Sequence, residues 1–358
     1  MTKTPYSSAP PSSFWRRSVS NVPFFDVDPV MTAPFNISTA DRVATAGSCF
    51  AQHIARILQE VGLSYHVFEP GPIELPAAER LNRNYGVFSG RYGNIYTTRQ
   101  LLQLWQRAFD GDAATAHVWV RSDGRFVDGF RPGVEPNGFD SVDAVLEDRS
   151  KHLACFRQGM EDIDVFVFTL GLTESWHSSI DGFTFPVAPG VLGGTYDSNE
   201  HSFKNLSVAE VEGDLVAFIR RLRAINTNCR ILLTVSPVPL VATARDVHVL
   251  SATTYSKSVL RVAAESVVMR FDNAAYFPSY EIITGSYNRG RYYETDAREV
   301  NHCGVSHVMK LFLGHYVGGE FAEALSNSSG AIPSLQLQKT YARASRLVCE
   351  EEAIGAAQ

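Results

Sequence analysis

A chain of 358 residues, 45% hydrophobic and 20% charged, has ordinary globular composition and room for one enlarged α/β domain or two. Its net charge of −6 without a long basic run marks no nucleic-acid surface, and the lack of any run of about 18 apolar residues leaves no membrane span to expect. Five cysteines (Cys49, Cys155, Cys229, Cys303 and Cys349) are odd in number, widely spread and without zinc spacing, so free thiols in a reducing, cytoplasmic setting are expected, with no disulfide framework, metal or other cofactor.

Residues 1–35 carry Pro, Ser and arginines with little periodicity and no apolar signal core, and read as an extended arm. "DRVATAGSCF" rises from a short strand into a turn, and "FAQHIARILQEVG" then puts Phe50, Ile54, Ile57, Leu58 and Val61 on one helical face before Gly62. "LSYHVFEP" reads as the next strand, and "TTRQLLQLWQRAF" as a helix. Residues 110–140 read as a strand-turn insertion around Asp123-Gly124. "DAVLEDRSKHLACFRQGM" is helical, and "DIDVFVFTLGLTESW" is a buried strand ending in a loop. Residues 178–205 are rich in Gly, Pro, Asn and Ser and read mostly as loop. A helix over "VAEVEGDLVAFIRRLRAIN" leads into the apolar strand "RILLTVSPVPL". Helical patterns follow at 255–269 and in "GVSHVMKLFLGHYVGGEF", with "AAYFPSY" extended between them. Strands alternating with helices predict an α/β fold whose mostly parallel sheet is covered on both faces. A domain over 36–325 and a peripheral tail over 326–358 complete the expected organisation.

Ligand groups in such folds collect beyond the carboxyl ends of the strands. The polar clusters at those ends are Gly47-Ser48-Cys49, Gly171-Leu172-Thr173-Glu174 and Ser236, with a further one from Asp296 to His302 ahead of a helix. A strand-to-helix corner suits a nucleophile, because the helix N-terminus lowers a thiol pKa and stabilises an oxyanion.

The blocks "GSCFAQHIA", "GRYGNIYTTRQLLQL", "TLGLTESW", "TVSPVPLVAT", "YSKSVLR" and "YFPSYEIITG", in this order over about residues 35–315, resemble the GSCFA family, grouped with the SGNH (GDSL-like) hydrolases. The resemblance implies a flavodoxin-like three-layer α/β/α sandwich and ester or acyl-transfer chemistry. It puts Cys49 where SGNH enzymes carry their nucleophilic Ser, with Ser48 as fallback nucleophile, substrate contact or turn-stabilising hydroxyl. The implied oxyanion hole comprises the Cys49 N–H, Gly93-Asn94, and Thr173 in place of an Asn. Glu174 is expected to orient a base or bind substrate beside Trp176.

The resemblance departs at the base. The SGNH block is Asp-x-x-His with Gly five residues after the His. Counting back from Gly304 puts Asp296 at the Asp and Glu299 at the His. His302 is the expected replacement base. His53, one helical turn from Cys49, and His307 are alternatives, and Glu299 is the carboxylate option. His307 lies opposite the apolar face of its helix and is expected to point outward unless a lid covers it.

Two functions follow from this resemblance. The first is a hydrolase or O-acyltransferase acting on an acyl ester, with a small-molecule or carbohydrate substrate and an acyl thioester as a candidate donor. The second is a non-catalytic SGNH-like carbohydrate-binding protein that lost the histidine. Trp176, Tyr196, Tyr287, Tyr292 and Tyr293 are candidate sugar-stacking surfaces.

Overall fold

Apolar runs with few polar interruptions form the centre of the protein. Val43–Gly47 and Val165–Leu170 are buried at every position, and Arg230–Val235 at every position but its first. Strands buried on both faces belong to a parallel sheet covered by helices. The computed structural model describes residues 4–111, 116–318 and 349–356. In chain order its strands are β1 (Val43–Gly47), β2 (Val118–Val120), β3 (Phe126–Asp128), β4 (Val165–Leu170), β5 (Glu174–Ser178), β6 (Thr184–Phe185), β7 (His201–Asn205), β8 (Arg230–Val235) and β9 (Ala274–Tyr276). The helices are α1 (Ala51–Glu60), α2 (Ala77–Asn82), α3 (Thr98–Trp105), α4 (Val142–Asp162), α5 (Val208–Ile225), α6 (Val249–Val268), α7 (Ser279–Thr284), α8 (His302–Phe312) and α9 (Glu352–Ala356).

The central sheet has the order β1-β4-β8-β9 and is parallel throughout, with Val43 opposite Val165, Val165 opposite Arg230, and Ile231 opposite Ala274. Helices flank it, giving the three-layer α/β/α sandwich. Their starts are set by local chemistry. Thr97 with Gln100 and Ser207 with Glu210 form capping boxes on α3 and α5, and Ser141 caps α4.

The chain forms two compact units, Ser38–Tyr276 with Ala344–Gln358, and Met1–Ile37 with Phe277–Arg343. In the second, the N-terminal arm is wound into short turns at Pro11–Ser13, Arg16–Ser20 and Phe24–Asp26, rather than extended. Apolar contact supplies the reason: Phe24 and Phe25 pack on Tyr292, and Phe25 on His307. Residues 319–348 and 357–358, which include most of the expected tail over 326–358, lie outside the described residues.

Two stretches of the first unit differ from the sequence reading. "LSYHVFEP" forms only a single bridge, Val43 to Tyr65. The ladder stops there because the next edge donor of β1, the Thr45 N–H, is taken at 3.0 Å by Ser89 Oγ. The segment 178–205 is mostly loop, as expected, but it also contributes short strands that the sequence reading lacked. β5 carries β6 on one side and β7 on the other as an antiparallel sheet, with Trp176 opposite both Phe185 and Phe203. Its Gly and Asn residues mark the turns between short strands, such as the left-handed Gly182 between β5 and β6. The hairpin at Asp123-Gly124 forms as β2 and β3.

Buried charges hold that hairpin against α4. Asp128 accepts from Arg131 at 2.9 Å and from Arg149 at 2.9 Å, and Asp148 binds Arg91 and Arg131. Burial pushes the Asp128 carboxyl up, but Arg131 and Arg149 outweigh it and hold it well below the usual range. No helix among the described residues is long and apolar enough to cross a membrane.

Candidate active site

Gly47, Ser48 and Cys49 form the corner between β1 and α1. Gly47 has φ +132°, and a Cβ there would lie 2.3 Å from the Thr169 carbonyl oxygen, so only glycine lets β1 leave the sheet beside β4. The Ser48 N–H donates to that same carbonyl at 3.1 Å. The first amides of α1 are used locally: Ala51, Gln52 and His53 donate to the carbonyls of Ser48, Cys49 and Phe50 at 2.9, 3.1 and 3.1 Å. Those three donors therefore serve the turn, and an incoming ligand must use others. Cys49 is buried, 4% exposed. The hydroxyls of Ser48 and Thr169 are buried without a hydrogen-bond partner among the described residues, which marks polar space under the corner.

Two further loops converge on it. Ile95 N–H donates to the Gly47 carbonyl at 2.8 Å, which ties the Gly93-Asn94 turn to the corner. The Tyr96 carbonyl accepts from the N–H groups of Gly171 and Leu172 at 3.1 and 2.9 Å, which ties in the loop after β4. A Cβ on Gly171 would lie 3.0 Å from Ser48 Cβ, so the corner and this loop are in contact. Tyr96 is buried, and burial, with Glu350 adding, raises its pKa well above the ordinary value. The predicted residues Cys49, Ser48, Gly93, Asn94 and Thr173 are thus brought to one edge of one sheet.

Thr173 is engaged on both donors. Its N–H goes to Ser256 Oγ at 3.0 Å and its hydroxyl to Asn205 Oδ1 at 2.6 Å. Beside it, Lys257 is buried and donates to the Gly171 carbonyl at 2.7 Å. Ser256, Lys257 and Asn205 carried no role in the sequence reading. Ser256 and Lys257 sit in the "YSKSVLR" block, and the structure gives that block a task, holding the Gly171–Thr173 loop. Asn205, at the end of β7, accepts the hydrogen bond that the Thr173 hydroxyl was expected to give an oxyanion.

Glu174 is half-buried. Burial pushes its carboxyl up, and Thr243 Oγ1 donates to it at 2.8 Å. With Trp176, Leu172, Phe203, Leu240 and Ile354 it lines a cavity of about 180 Å³. Trp176 stands edge-on to exposed Tyr196, with ring centres 5.3 Å apart.

His53, on α1, is pushed down to about 3 by burial, with Arg56 adding to the effect, so it is neutral near pH 7 and weakly basic. The remaining predicted groups belong to the second unit. Asp296 is exposed, and its Oδ1 accepts from the N–H groups of Arg298 and Glu299 at 2.9 and 3.0 Å. It thereby shapes its own loop, in which Ala297 is left-handed and Glu299 is exposed. His302 opens α8, with Ser306 Oγ 3.4 Å from its Nε2. Burial lowers its pKa. His307 does not point outward. It is buried, its Nδ1 2.7 Å from the Tyr292 hydroxyl, and burial, with Lys310 adding, pushes it down to about 4. The arm is the lid, through Phe25. Tyr292 is wholly buried in the same contact and offers no face for a sugar.

Among the described residues no cluster of His, Cys, Asp and Glu is placed to hold a metal. Comparisons with curated proteins and with solved structures find no match. The model of the GSCFA family matches residues 42–312, from the start of β1 to the end of α8. That span takes in the corner, both converging loops and the "YSKSVLR" tether, and the chain belongs to the GSCFA family.

Proposed function

We propose that this protein is an SGNH-like acyl-ester hydrolase or O-acyltransferase with Cys49 as nucleophile, acting on an acylated small molecule or carbohydrate. The observation that carries the reading is the convergence of the Gly93-Asn94 turn and the Gly171–Thr173 loop on the Cys49 corner, through the Ile95–Gly47 and Gly171–Tyr96 hydrogen bonds. Acyl transfer requires a nucleophile at such a corner with backbone and amide donors for the oxyanion, and this convergence supports Gly93-Asn94 as their source.

In the proposed reaction the Cys49 thiol loses its proton to a base, for which His302 is the first candidate and His53, His307 and Glu299 are alternatives, and its sulfur attacks the acyl carbonyl. The carbonyl oxygen gains charge against Gly93-Asn94 and the Cys49 N–H. The C–O bond to the leaving alcohol breaks, and the alcohol takes the proton from the base. Water or an acceptor hydroxyl then attacks the thioester, gives its proton to the base and releases the thiolate, which recovers the proton. An acyl thioester donor would enter by the same first step and release a thiol. Glu174 and Trp176 belong to substrate binding in this reading.

A carbohydrate-binding protein without turnover is the second reading, favoured by Glu299 at the position where the SGNH pattern has histidine. Hydrolysis of an activated short-chain aryl ester separates them. Cys49→Ala should abolish release, Cys49→Ser should keep a trace, and His302→Ala should slow it by about 10²–10⁴. Wild-type protein that turns over no acyl ester or thioester, yet binds an oligosaccharide, would establish the second reading.

A further inference from the structure

The cradle at Gly93-Asn94 already holds a carboxylate. Glu350 is 256 residues from Asn94 in sequence, yet its Oε1 accepts from the Asn94 N–H at 3.4 Å and its Oε2 from the Asn94 side-chain amide. The Tyr96 hydroxyl donates to the same Oε2 at 3.2 Å, and Cys349 Sγ lies 3.6 Å from that hydroxyl. The approach to Gly93 is so close that a Cβ there would sit 2.8 Å from Oε1. Four residues on, Ile354 reaches the apolar cavity formed by Leu172, Trp176, Phe203 and Leu240. The segment therefore has the layout of a ligand, with an oxygen head in the cradle and an aliphatic group at the wall of the groove, whose remaining free space is about 180 Å³.

The donors around the head are uncharged, an amide and a phenol. Burial raises the Glu350 pKa, since such donors compensate an ionised carboxylate poorly. They suit a carbonyl or a protonated acid better than a permanent anion. A cavity of about 150 Å³ takes a benzene-sized group, so the groove of about 180 Å³ takes a chain of about six carbons.

We propose that Cys349–Ala356 is a tethered occupant of the candidate active site, and that the ligand it displaces is an acyl group with a short aliphatic chain bound carbonyl-first in the Gly93-Asn94 cradle. This rests on the acyl-transfer reading for the identity of the head group, though not for the occupancy itself. The segment acts as an inhibitor in cis. Ligands compete with it, and a change that withdraws Glu350 opens the site.

The test uses the full-length chain and hexanamide, a neutral acyl group, as probe, with binding followed by titration calorimetry. Glu350→Ala empties the cradle. Ile354→Asp, which leaves the cradle residues intact, loosens the segment from the groove. Both should bind hexanamide at least about tenfold more tightly than wild type, and acetamide more weakly than hexanamide. Thermal melting selects the folded variants, and either one suffices. Hexanamide binding no tighter than wild type in a folded Glu350→Ala or Ile354→Asp protein would overturn the proposal, even if ester turnover is found. Tighter binding in a protein that turns over no ester would sustain it while removing the acyl-transfer reading.

Discussion

The Thr173 hydroxyl donates to Asn205 Oδ1 at 2.6 Å, so in the proposed oxyanion hole the threonine would act through a second residue. The Asn205 Oδ1 is held by this bond, which orients the amide nitrogen. Thr173→Val keeps the shape and removes the donor. It should lower kcat for ester release by about tenfold or more with little change in KM, and Asn205→Ala should do the same. The double variant should be no worse than either single one, because both remove one unit. Additive losses in that cycle would show that Thr173 and Asn205 act separately.

Gly47→Ala should be among the most damaging small substitutions in the chain. The added methyl meets the Thr169 carbonyl at 2.3 Å, and the backbone at φ +132° disfavours any side chain. A loss of at least about 3 kcal/mol is expected, read as a fall in denaturation midpoint. Gly62→Ala makes the control. Its φ of +74° is also left-handed, but a Cβ there meets nothing, so only the conformational cost of about 1 kcal/mol applies.

The Glu69–His152 pair predicts an acid limb to stability. Glu69 Oε2 lies 2.7 Å from His152 Nδ1. Burial pushes Glu69 up, but His152, its hydrogen bond and Arg131 outweigh that and hold it at about 2. A carboxyl whose folded pKa is depressed stabilises the fold above its unfolded pKa, and that contribution is lost as pH falls through the folded value. Denaturation midpoints should therefore drop between about pH 4.5 and 2. Glu69→Gln should flatten part of this slope, and an unchanged slope would count against the pair.

His307 sets a second window in the other unit. Its folded pKa is pushed down to about 4 by burial, so the fold prefers the neutral ring. The preference is fully present above the unfolded value near 6.5 and is lost as pH falls towards 4. Protection factors of the α8 amides, corrected for the intrinsic exchange rate at each pH, should fall across that range, while those of β4 and β8 stay high. An equal loss of protection in β4 would mean that His307 does not govern the change.

The sequence by itself determined the sheet and the corner. Val165–Leu170 and Arg230–Val235 are apolar runs too short for helices, and each is followed by helical periodicity, so a covered parallel sheet was legible. Glycine beside Ser48-Cys49 marked the turn because a side chain there has nowhere to go. Patterns of this kind are local, and local sterics and solvation produce them. What lay outside their reach was every relation that depends on distant chain. "LSYHVFEP" has strand composition, but Ser89 takes the donor its ladder would have needed. His307 lies on the polar side of α8 by helical geometry, and Phe25 of the N-terminal arm buries it. Residues 178–205 are mostly loop, as their Gly, Pro and Asn content indicated, and the short strands β6 and β7 within them were hidden because they pair only with β5. Glu350 carries no motif at all. A carboxylate in a short acidic run reads as solvated, and only the folded chain, by closing a separation of 256 residues, puts it against Asn94.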